Sequence, residues 1–213
     1  MEIEALVFDA YGTLFDVHSV VRRCEGLWPG KGAQLSQLWR AKQLEYTWQR
    51  SLMKRYAPFS TVTRAALAYA CEALGLGLTA ERIEALMGEY LMLSMYPDVP
   101  NAIRQFACKK AILTNGSPDM IEPLVAHCGL KFDAVLSVHE LSVYKPAPEV
   151  YQLAVRKLQL EPESIGFVSS NCWDALGAKS FGFTVYWINR LGAPVDRLGF
   201  TPDKTIKSLL DLA

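Results

Sequence analysis

The chain has 213 residues, of which 22 are Lys or Arg and 22 are Asp or Glu, so its formal net charge at pH 7 is zero. This balance gives no indication of a nucleic-acid partner or an anionic membrane surface. No apolar run approaches the ~20 residues of a membrane span, and no charged-then-apolar leader is evident, so the expected location is the cytoplasm. The five cysteines are widely spaced without a Cys-x-x-Cys pair, so neither a metal site nor a disulfide framework is expected.

The first predicted element is a short strand at residues 4–9. Its apolar run, from Ala5 to Phe8, is typical of a strand buried on both faces of a parallel sheet, and it ends in Asp9 and a turn containing Gly12. Ligands of open α/β sheets bind beyond the carboxyl ends of the strands. Asp9 is therefore a candidate nucleophile, because a carboxylate there can form an ester intermediate. The alternative is an aspartate that only caps the turn.

The next block of the chain, residues 16–93, contains no convincing strand. Residues 34–56 hold no Gly or Pro and predict one long helix, and Thr79 followed by Ala-Glu-Arg-Ile predicts the start of another. We interpret the block as a helical cap domain inserted into a core domain made of residues 1–15 and 94–213. The long helix carries apolar residues on more than one face, which fits either the middle of the cap or a subunit interface.

The second half of the chain alternates strands and helices. Strands are predicted at 110–115, 133–137, 164–169 and 184–188, and helices at 117–128, 147–159 and 173–181. Ser117 before Pro118 predicts a helix start, and Gly129 predicts its end. This alternation predicts an α/β fold with a doubly wound parallel sheet. In the usual order the first strand lies between the second and fourth, which brings their polar ends together.

Four motifs at these strand ends and helix starts resemble those of the haloacid dehalogenase superfamily. They are Asp-x-Tyr-Gly-Thr-Leu at 9–14, Thr-Asn-Gly at 114–116, Tyr-Lys-Pro at 144–146 and Ser-Ser-Asn-x-Trp-Asp at 169–174. Within this superfamily the chain resembles the L-2-haloacid dehalogenases, and the match includes Leu-Trp-Arg at 38–40 and Trp-Ile-Asn-Arg at 187–190. The resemblance runs nearly from end to end. It implies a Rossmann-like core with a helical cap, and a homodimer joined through cap helices.

The resemblance also implies a reaction and a set of roles. Asp9 would attack the halogen-bearing carbon of a short-chain (S)-2-haloacid, and water would hydrolyse the ester to an (R)-2-hydroxyacid, with inversion and without a metal or cofactor. Arg40 would stabilise the halide, and Lys145 would keep Asp9 ionised. The other catalytic residues implied are Thr13, Tyr151, Ser169, Asn171 and the water-activating Asp174. The substrate-binding residues implied are Tyr11, Gly12, Leu44, Phe59, Thr114, Asn115 and Trp173.

One departure from the family and two alternative functions accompany this interpretation. The family usually has serine at position 114, and the methyl group of Thr114 is expected to narrow the carboxylate pocket. Phosphatases of this fold commonly carry a second aspartate where this chain has Tyr11, and bind Mg²⁺ through an aspartate that aligns with Ser170. A non-catalytic small-anion-binding protein is the other alternative, which the presence of both Asp9 and Lys145 disfavours. Cys172 lies within the last motif, but no histidine is near it in sequence to activate it.

Overall fold

The computed structural model describes residues 2–212, which divide into two compact units. The sheet unit comprises the chain up to Phe15, Met95–Asn115 and the chain from Leu130 onwards. The helical unit comprises Asp16–Ser94 and Gly116–Gly129. The inserted cap domain at residues 16–93 stays a prediction. No helix within the described residues is long and apolar enough to cross a lipid bilayer.

Six parallel strands form the sheet within residues 2–212, in the order β3-β2-β1-β4-β5-β6. They are β1 (Ala5–Phe8), β2 (Lys109–Thr114), β3 (Ala134–Ser137), β4 (Ile165–Ser169), β5 (Thr184–Ile188) and β6 (Lys204–Ile206). All four residues of β1 are buried, as expected for a strand with neighbours on both edges and helices on both faces. The predicted parallel sheet is confirmed, with the first strand between the second and the fourth.

The register of the sheet places the carboxyl ends of the central strands at one level. Phe8, the last residue of β1, lies opposite Ile112 of β2 and Val168 of β4. Strand β2 continues for two more residues to Thr114 and β4 for one more to Ser169, so the three central strands end at the same edge of the sheet, at the point where the strand order reverses. This common edge determines where the polar motifs of the chain meet.

The helices within the described residues begin and end close to the predicted positions in the second half of the chain. In chain order they are α1 (Val21–Leu27), α2 (Gly32–Leu52), α3 (Phe59–Ala73), α4 (Ala80–Glu89), α5 (Val99–Gln105), α6 (Pro118–Cys128), α7 (Pro148–Leu158) and α8 (Cys172–Phe181). Helix α6 begins at Pro118 and ends at Cys128, just before Gly129, whose φ of 65° is left-handed, as the sequence predicted. Thr79 caps α4, because its hydroxyl accepts a hydrogen bond from the Arg82 N–H at 3.4 Å.

The long helix α2 organises the helical unit but ends earlier than predicted. It stops at Leu52 rather than near residue 56, and Lys54 adopts a left-handed φ of 55°. Residues 52–55 are exposed, so no packing extends the helix through them. Earlier in α2, the Trp39 ring lies 4.8 Å from the Tyr90 ring, and its indole N–H donates to the Thr63 carbonyl of α3 at 2.8 Å.

Candidate active site

Asp9 follows β1 directly and is almost fully buried, with 6% of its surface exposed. Its Oδ2 accepts hydrogen bonds from the Thr13 hydroxyl at 2.9 Å and from the Asn171 amide at 2.8 Å. Its Oδ1 lies 3.0 Å from the Lys145 ammonium group. Three donors from three separate segments therefore orient one carboxylate at the end of the central strand. These contacts hold the carboxylate in one fixed direction.

Lys145 bridges two buried carboxylates. Its Nζ lies 3.0 Å from Asp9 Oδ1 and 2.9 Å from Asp174 Oδ2, and only 1% of the residue is exposed. Burial opposes the charged ammonium form, but the neighbouring Asp174 and Asp9 carboxylates outweigh it and raise the pKa of Lys145 above its usual value. Removing the lysine would leave two buried carboxylates without their cation, which costs about 3–5 kcal/mol in comparable pairs.

Asp174 is the second carboxylate of the site and lies in the first turn of α8 with no exposed surface. Its Oδ1 accepts from the Tyr151 hydroxyl at 2.8 Å. Burial raises the pKa of Asp174 to about 6, and the nearby Asp9 charge adds to this rise while Lys145 opposes it. Burial and the Asp174 carboxylate raise the pKa of Tyr151 well above its usual value, so its hydroxyl remains a donor. Asp174 is thus poised to exchange a proton near neutral pH.

The segment after β4 locks the loop that carries Asp9. The Asn171 amide nitrogen donates to the Tyr11 carbonyl at 3.1 Å as well as to Asp9. The Ser170 N–H donates to the Thr13 hydroxyl oxygen at 2.9 Å, and the Ser170 hydroxyl donates to the Gly12 carbonyl at 2.6 Å. Ser170 was considered in the sequence only as a missing metal ligand. In the structure Ser170 fixes the loop that follows Asp9 through these two hydrogen bonds, and its place in the Ser-Ser-Asn motif was the sequence signal for that role.

Two predicted residues support the site through contacts within the protein. The backbone N–H of Gly12 donates to the Phe15 carbonyl at 2.7 Å, so this N–H is already engaged within its own turn. Gly12 has a φ of 93°, which explains why glycine occupies the turn. The Ser169 hydroxyl accepts from the Asn171 N–H at 3.2 Å, so it shapes the loop that presents the Asn171 amide.

The end of β2, the start of α8 and Tyr11 complete the part of the predicted site that belongs to the sheet unit. Asn115 is buried, and its side-chain oxygen accepts from the backbone N–H of Lys145 at 3.0 Å. This contact positions the lysine. Thr114 and Tyr11 are buried, and Trp173 is half-buried next to Asp174.

The remaining predicted residues belong to the helical unit. Arg40 and Leu44 are half-buried on α2, and Phe59 is buried at the start of α3. Arg40 donates from Nη1 to the Gln43 side-chain oxygen at 2.6 Å. Gln43 is fully buried and was not singled out in the sequence. Its position one turn after Arg40 was the signal that pointed to it.

Arg190, from the Trp-Ile-Asn-Arg motif, also contacts the loop that follows Asp9 and connects it to other segments of the sheet unit. Its guanidinium donates to the Thr13 carbonyl at 3.3 Å and to the Asp98 carboxylate at 3.0 Å, and lies 4.3 Å from the Tyr96 ring centre. Asp98 also accepts from the Leu209 N–H at 2.7 Å. Arg190 and Asp98 thus join the loop of Asp9 to the start of α5 and to the carboxyl-terminal segment.

Comparison with known proteins identifies the family. The family model for haloacid dehalogenase-like hydrolases matches residues 3–182. The (S)-2-haloacid dehalogenase of Pseudomonas sp. (strain YL) is 50% identical over 212 residues, covering 97% of this chain and 91% of the relative. Haloacetate dehalogenase H-2 of Moraxella sp. (strain B) is 47% identical over 210 residues, covering 96% of this chain and 94% of the relative.

A solved structure carries the same arrangement of elements. The L-2-haloacid dehalogenase of Xanthobacter autotrophicus, with chloropropionic acid covalently bound, superimposes with a TM-score of 0.93 at 42% identity, covering 99% of this chain and 96% of that one. The buried Asp9–Lys145–Asp174 cluster lies at the strand ends of this shared fold. The chain therefore belongs to the haloacid dehalogenase-like hydrolases, and within them to the group of the (S)-2-haloacid dehalogenases.

Proposed function

We propose that the chain hydrolyses short-chain (S)-2-haloacids to (R)-2-hydroxyacids through an ester on Asp9, without a metal or cofactor. One observation carries the proposal: Lys145 Nζ lies 3.0 Å from Asp9 and 2.9 Å from Asp174, both carboxylates being buried. This arrangement supplies a carboxylate nucleophile beside a buried cation and a second carboxylate with a raised pKa. These are the two groups that an ester-forming hydrolysis requires.

In the first step an Asp9 carboxylate oxygen attacks the carbon that carries the halogen. The carbon–halogen bond breaks, the halide leaves with the electron pair, and the carbon inverts as the ester forms. Thr13 and Asn171 hold the carboxylate in one direction through their hydrogen bonds to Oδ2. A nucleophile that is already oriented loses less entropy on reaching the transition state.

The substrate carboxylate and the halide that forms during the reaction need separate partners. In our proposal Arg40, Asn115 and Trp173 surround the departing halide, and Thr114 with the backbone N–H near Tyr11 receives the substrate carboxylate. Tyr11, Leu44 and Phe59 enclose the alkyl group. The support is the burial of Thr114 and Phe59 and the fixed orientation of Arg40 by Gln43. Donors held where charge develops stabilise the transition state without further reorganisation.

In the second step water attacks the side-chain carbonyl carbon of the Asp9 ester. Asp174 takes the proton from water, and the ester bond breaks between that carbonyl carbon and the oxygen of the hydroxyacid. Asp174 passes this proton to the departing alkoxide, which leaves as the 2-hydroxyacid, and the Asp9 carboxyl group left behind gives up its own proton to solvent. Tyr151 and Lys145 hold the two oxygens of Asp174 at 2.8 and 2.9 Å, which directs the base. The oxygen that enters the product in the first turnover is thus one that belonged to Asp9.

Metal-independent chemistry is supported by the hydrogen-bond donors that contact the oxygens that could otherwise bind a cation. The Asn171 amide nitrogen donates to both Asp9 Oδ2 and the Tyr11 carbonyl oxygen. The Ser170 hydroxyl points its proton at the Gly12 carbonyl. Mg²⁺ prefers carboxylate and carbonyl oxygens with water, so N–H and O–H donors at these positions disfavour the phosphatase alternative.

A homodimer formed through the helical unit in the cytoplasm is also part of the proposal. Leu52 and Met53, at the end of α2, are 85% and 60% exposed, and Tyr69 of α3 is 41% exposed. Apolar side chains exposed together favour a contact between subunits. Sedimentation equilibrium tests this point, since a monomer at micromolar concentration would contradict it.

Halide release from the separate enantiomers of 2-chloropropionate tests the function. We expect (S)-2-chloropropionate to yield chloride and (R)-lactate, with Asp9→Asn inactive. A single turnover in H₂¹⁸O, with enzyme in excess, should place label in Asp9 and leave the lactate hydroxyl largely unlabelled. Label that appeared directly in the lactate would contradict the ester intermediate. Wild-type protein that released no chloride would contradict the assigned function.

A further inference from the structure

We propose that Gln43 is a positioning residue that holds the Arg40 guanidinium in one orientation without neutralising its charge. Because Arg40 acts on a halide only under the proposed function, the inference rests on that function. Gln43 itself touches no reacting atom. Its effect on catalysis passes through Arg40.

The contacts of Gln43 form a continuous chain across two helices. Its side-chain oxygen accepts from Arg40 Nη1 at 2.6 Å, and its side-chain nitrogen donates to the Thr63 hydroxyl at 2.7 Å. The Thr63 hydroxyl in turn donates to the Phe59 carbonyl at 2.7 Å. Tyr90, which is buried, also hydrogen-bonds Gln43. Every polar atom of the Gln43 side chain is therefore engaged.

The direction of the Gln43 amide follows from donor and acceptor counting. The Thr63 hydroxyl has one proton and directs it to the Phe59 carbonyl, so it receives Gln43 as a donor. The Gln43 oxygen must then face the other way. Arg40 can only donate, so it meets the oxygen and not the nitrogen. The contact with Thr63 and the contact with Arg40 therefore select the same orientation of the Gln43 amide.

The chemistry of the side chain explains why glutamine suits this position. Burying an amide costs free energy unless it is hydrogen-bonded. If position 43 only had to fill the interior of the helical unit, an apolar residue would do so at lower cost. A glutamate at 43 would bind the guanidinium more strongly, but its negative charge would offset the positive charge that the departing halide needs. A neutral carbonyl oxygen orients the cation and leaves its charge intact.

The identity of the leaving group provides a readout that a merely structural role would not change. Chloride leaves less readily than bromide and concentrates its charge in a smaller ion, so its departure depends more on a well-placed cation. A misplaced or neutralised Arg40 should therefore slow the chloro substrate more than the bromo substrate.

The experiment compares single-turnover halide release from (S)-2-chloropropionate and (S)-2-bromopropionate. The variants are Gln43→Met, which keeps the length without the amide, and the nearly isosteric Gln43→Glu. Gln49→Met and Gln49→Glu are matched controls, since Gln49 is exposed on the same helix. We expect both Gln43 variants to slow chloride release at least tenfold and to raise the bromide-to-chloride rate ratio at least threefold. Both Gln49 variants should keep the wild-type ratio.

A second arm tests whether Gln43 acts through Arg40. In an Arg40→Ala background, Gln43→Glu should cost less than twofold in chloride release. An unchanged rate ratio, or an equal loss with and without Arg40, would overturn the proposal even if the wild type is fully active. A wild-type protein that releases neither halide would instead overturn the proposed function, and the inference with it. Circular dichroism of each variant verifies the fold, and Gln43→Glu serves if Gln43→Met does not fold.

Discussion

The Tyr151 hydroxyl lies 2.6 Å from the point that a Cβ atom at position 177 would occupy. Any residue other than glycine at 177 would therefore collide with Tyr151 at this separation of α7 and α8. The same hydroxyl donates to Asp174 Oδ1 at 2.8 Å. The absence of a side chain at Gly177 of α8 thus allows Tyr151 of α7 to reach the proposed base. The relationship connects helix packing directly to the geometry of the active site.

Gly177→Ala should therefore displace Tyr151 and lower turnover at least tenfold. The overpacked contact should also destabilise the fold by about 1–3 kcal/mol. Gly88→Ala is the matched control, because a Cβ atom on that helical glycine would meet nothing within 4 Å and alanine favours helices. Thermal unfolding and halide release measure the two effects. Equal behaviour of the two variants would show that the close approach has no functional weight.

Turnover should fall as the pH drops below about 6. Asp174, whose pKa burial raises to about 6, is then protonated and cannot accept a proton from water. We expect a burst of one halide per active site at pH 5 followed by slow turnover, because ester formation does not use Asp174 as a base. Asp174→Asn should give the same burst at every pH. Rapid-quench measurement without a burst in either case would contradict the assigned role.

Asp174→Asn should also change the pH dependence of stability. The pKa of Asp174 is raised from 3.8 to about 6 by folding, so protonated Asp174 contributes stability that is complete below pH ~4 and lost as the pH rises through about 6. That difference corresponds to at most about 3 kcal/mol. The free energy of unfolding of the variant, relative to wild type, should accordingly be higher at pH 8 than at pH 5. Urea titrations at the two pH values provide the comparison, and an opposite sign would refute the prediction.

Arg190→Lys should destabilise the protein by about 1–3 kcal/mol and lower turnover. A lysine lacks the planar fork that reaches both Asp98 and the Thr13 carbonyl, and it stacks less well on Tyr96. Arg197→Lys, at an exposed position, should change neither quantity. Urea unfolding and halide release check both variants, and a stable, fully active Arg190→Lys would show that the brace is dispensable.

Exhaustive EDTA treatment should leave halide release unchanged, with or without added Mg²⁺. Strict dependence of the wild type on Mg²⁺ would contradict the metal-independent mechanism.

Asn171→Asp should lower turnover at least a hundredfold, because it replaces a donor to Asp9 by a like charge at 2.8 Å. Asn189→Asp is a control for the added charge, since the Asn189 side chain bonds within its own loop.

Several features were predictable because the forces behind them are local or follow from strand order. The apolar run before Asp9 predicted the central strand, and the alternation of elements predicted a parallel sheet with β1 between β2 and β4. Ser117, Pro118 and Gly129 marked the ends of α6 through their backbone preferences. The four motifs at strand ends and helix starts predicted the superfamily, which the family model confirms.

Other features depend on partners far apart in the chain, and only the tertiary structure decided them. Strand β6 has three residues with one buried, too short a pattern to predict, and forms because β5 offers an open edge. Gln43 resembles any helical glutamine until Thr63 of α3 sets the direction of its amide. Asp9 and Asp174 lie far apart in the chain, and Lys145 joins them only in the folded protein. Hydrogen bonds and ion pairs require specific distances, and sequence patterns encode the periodicity of burial rather than those distances.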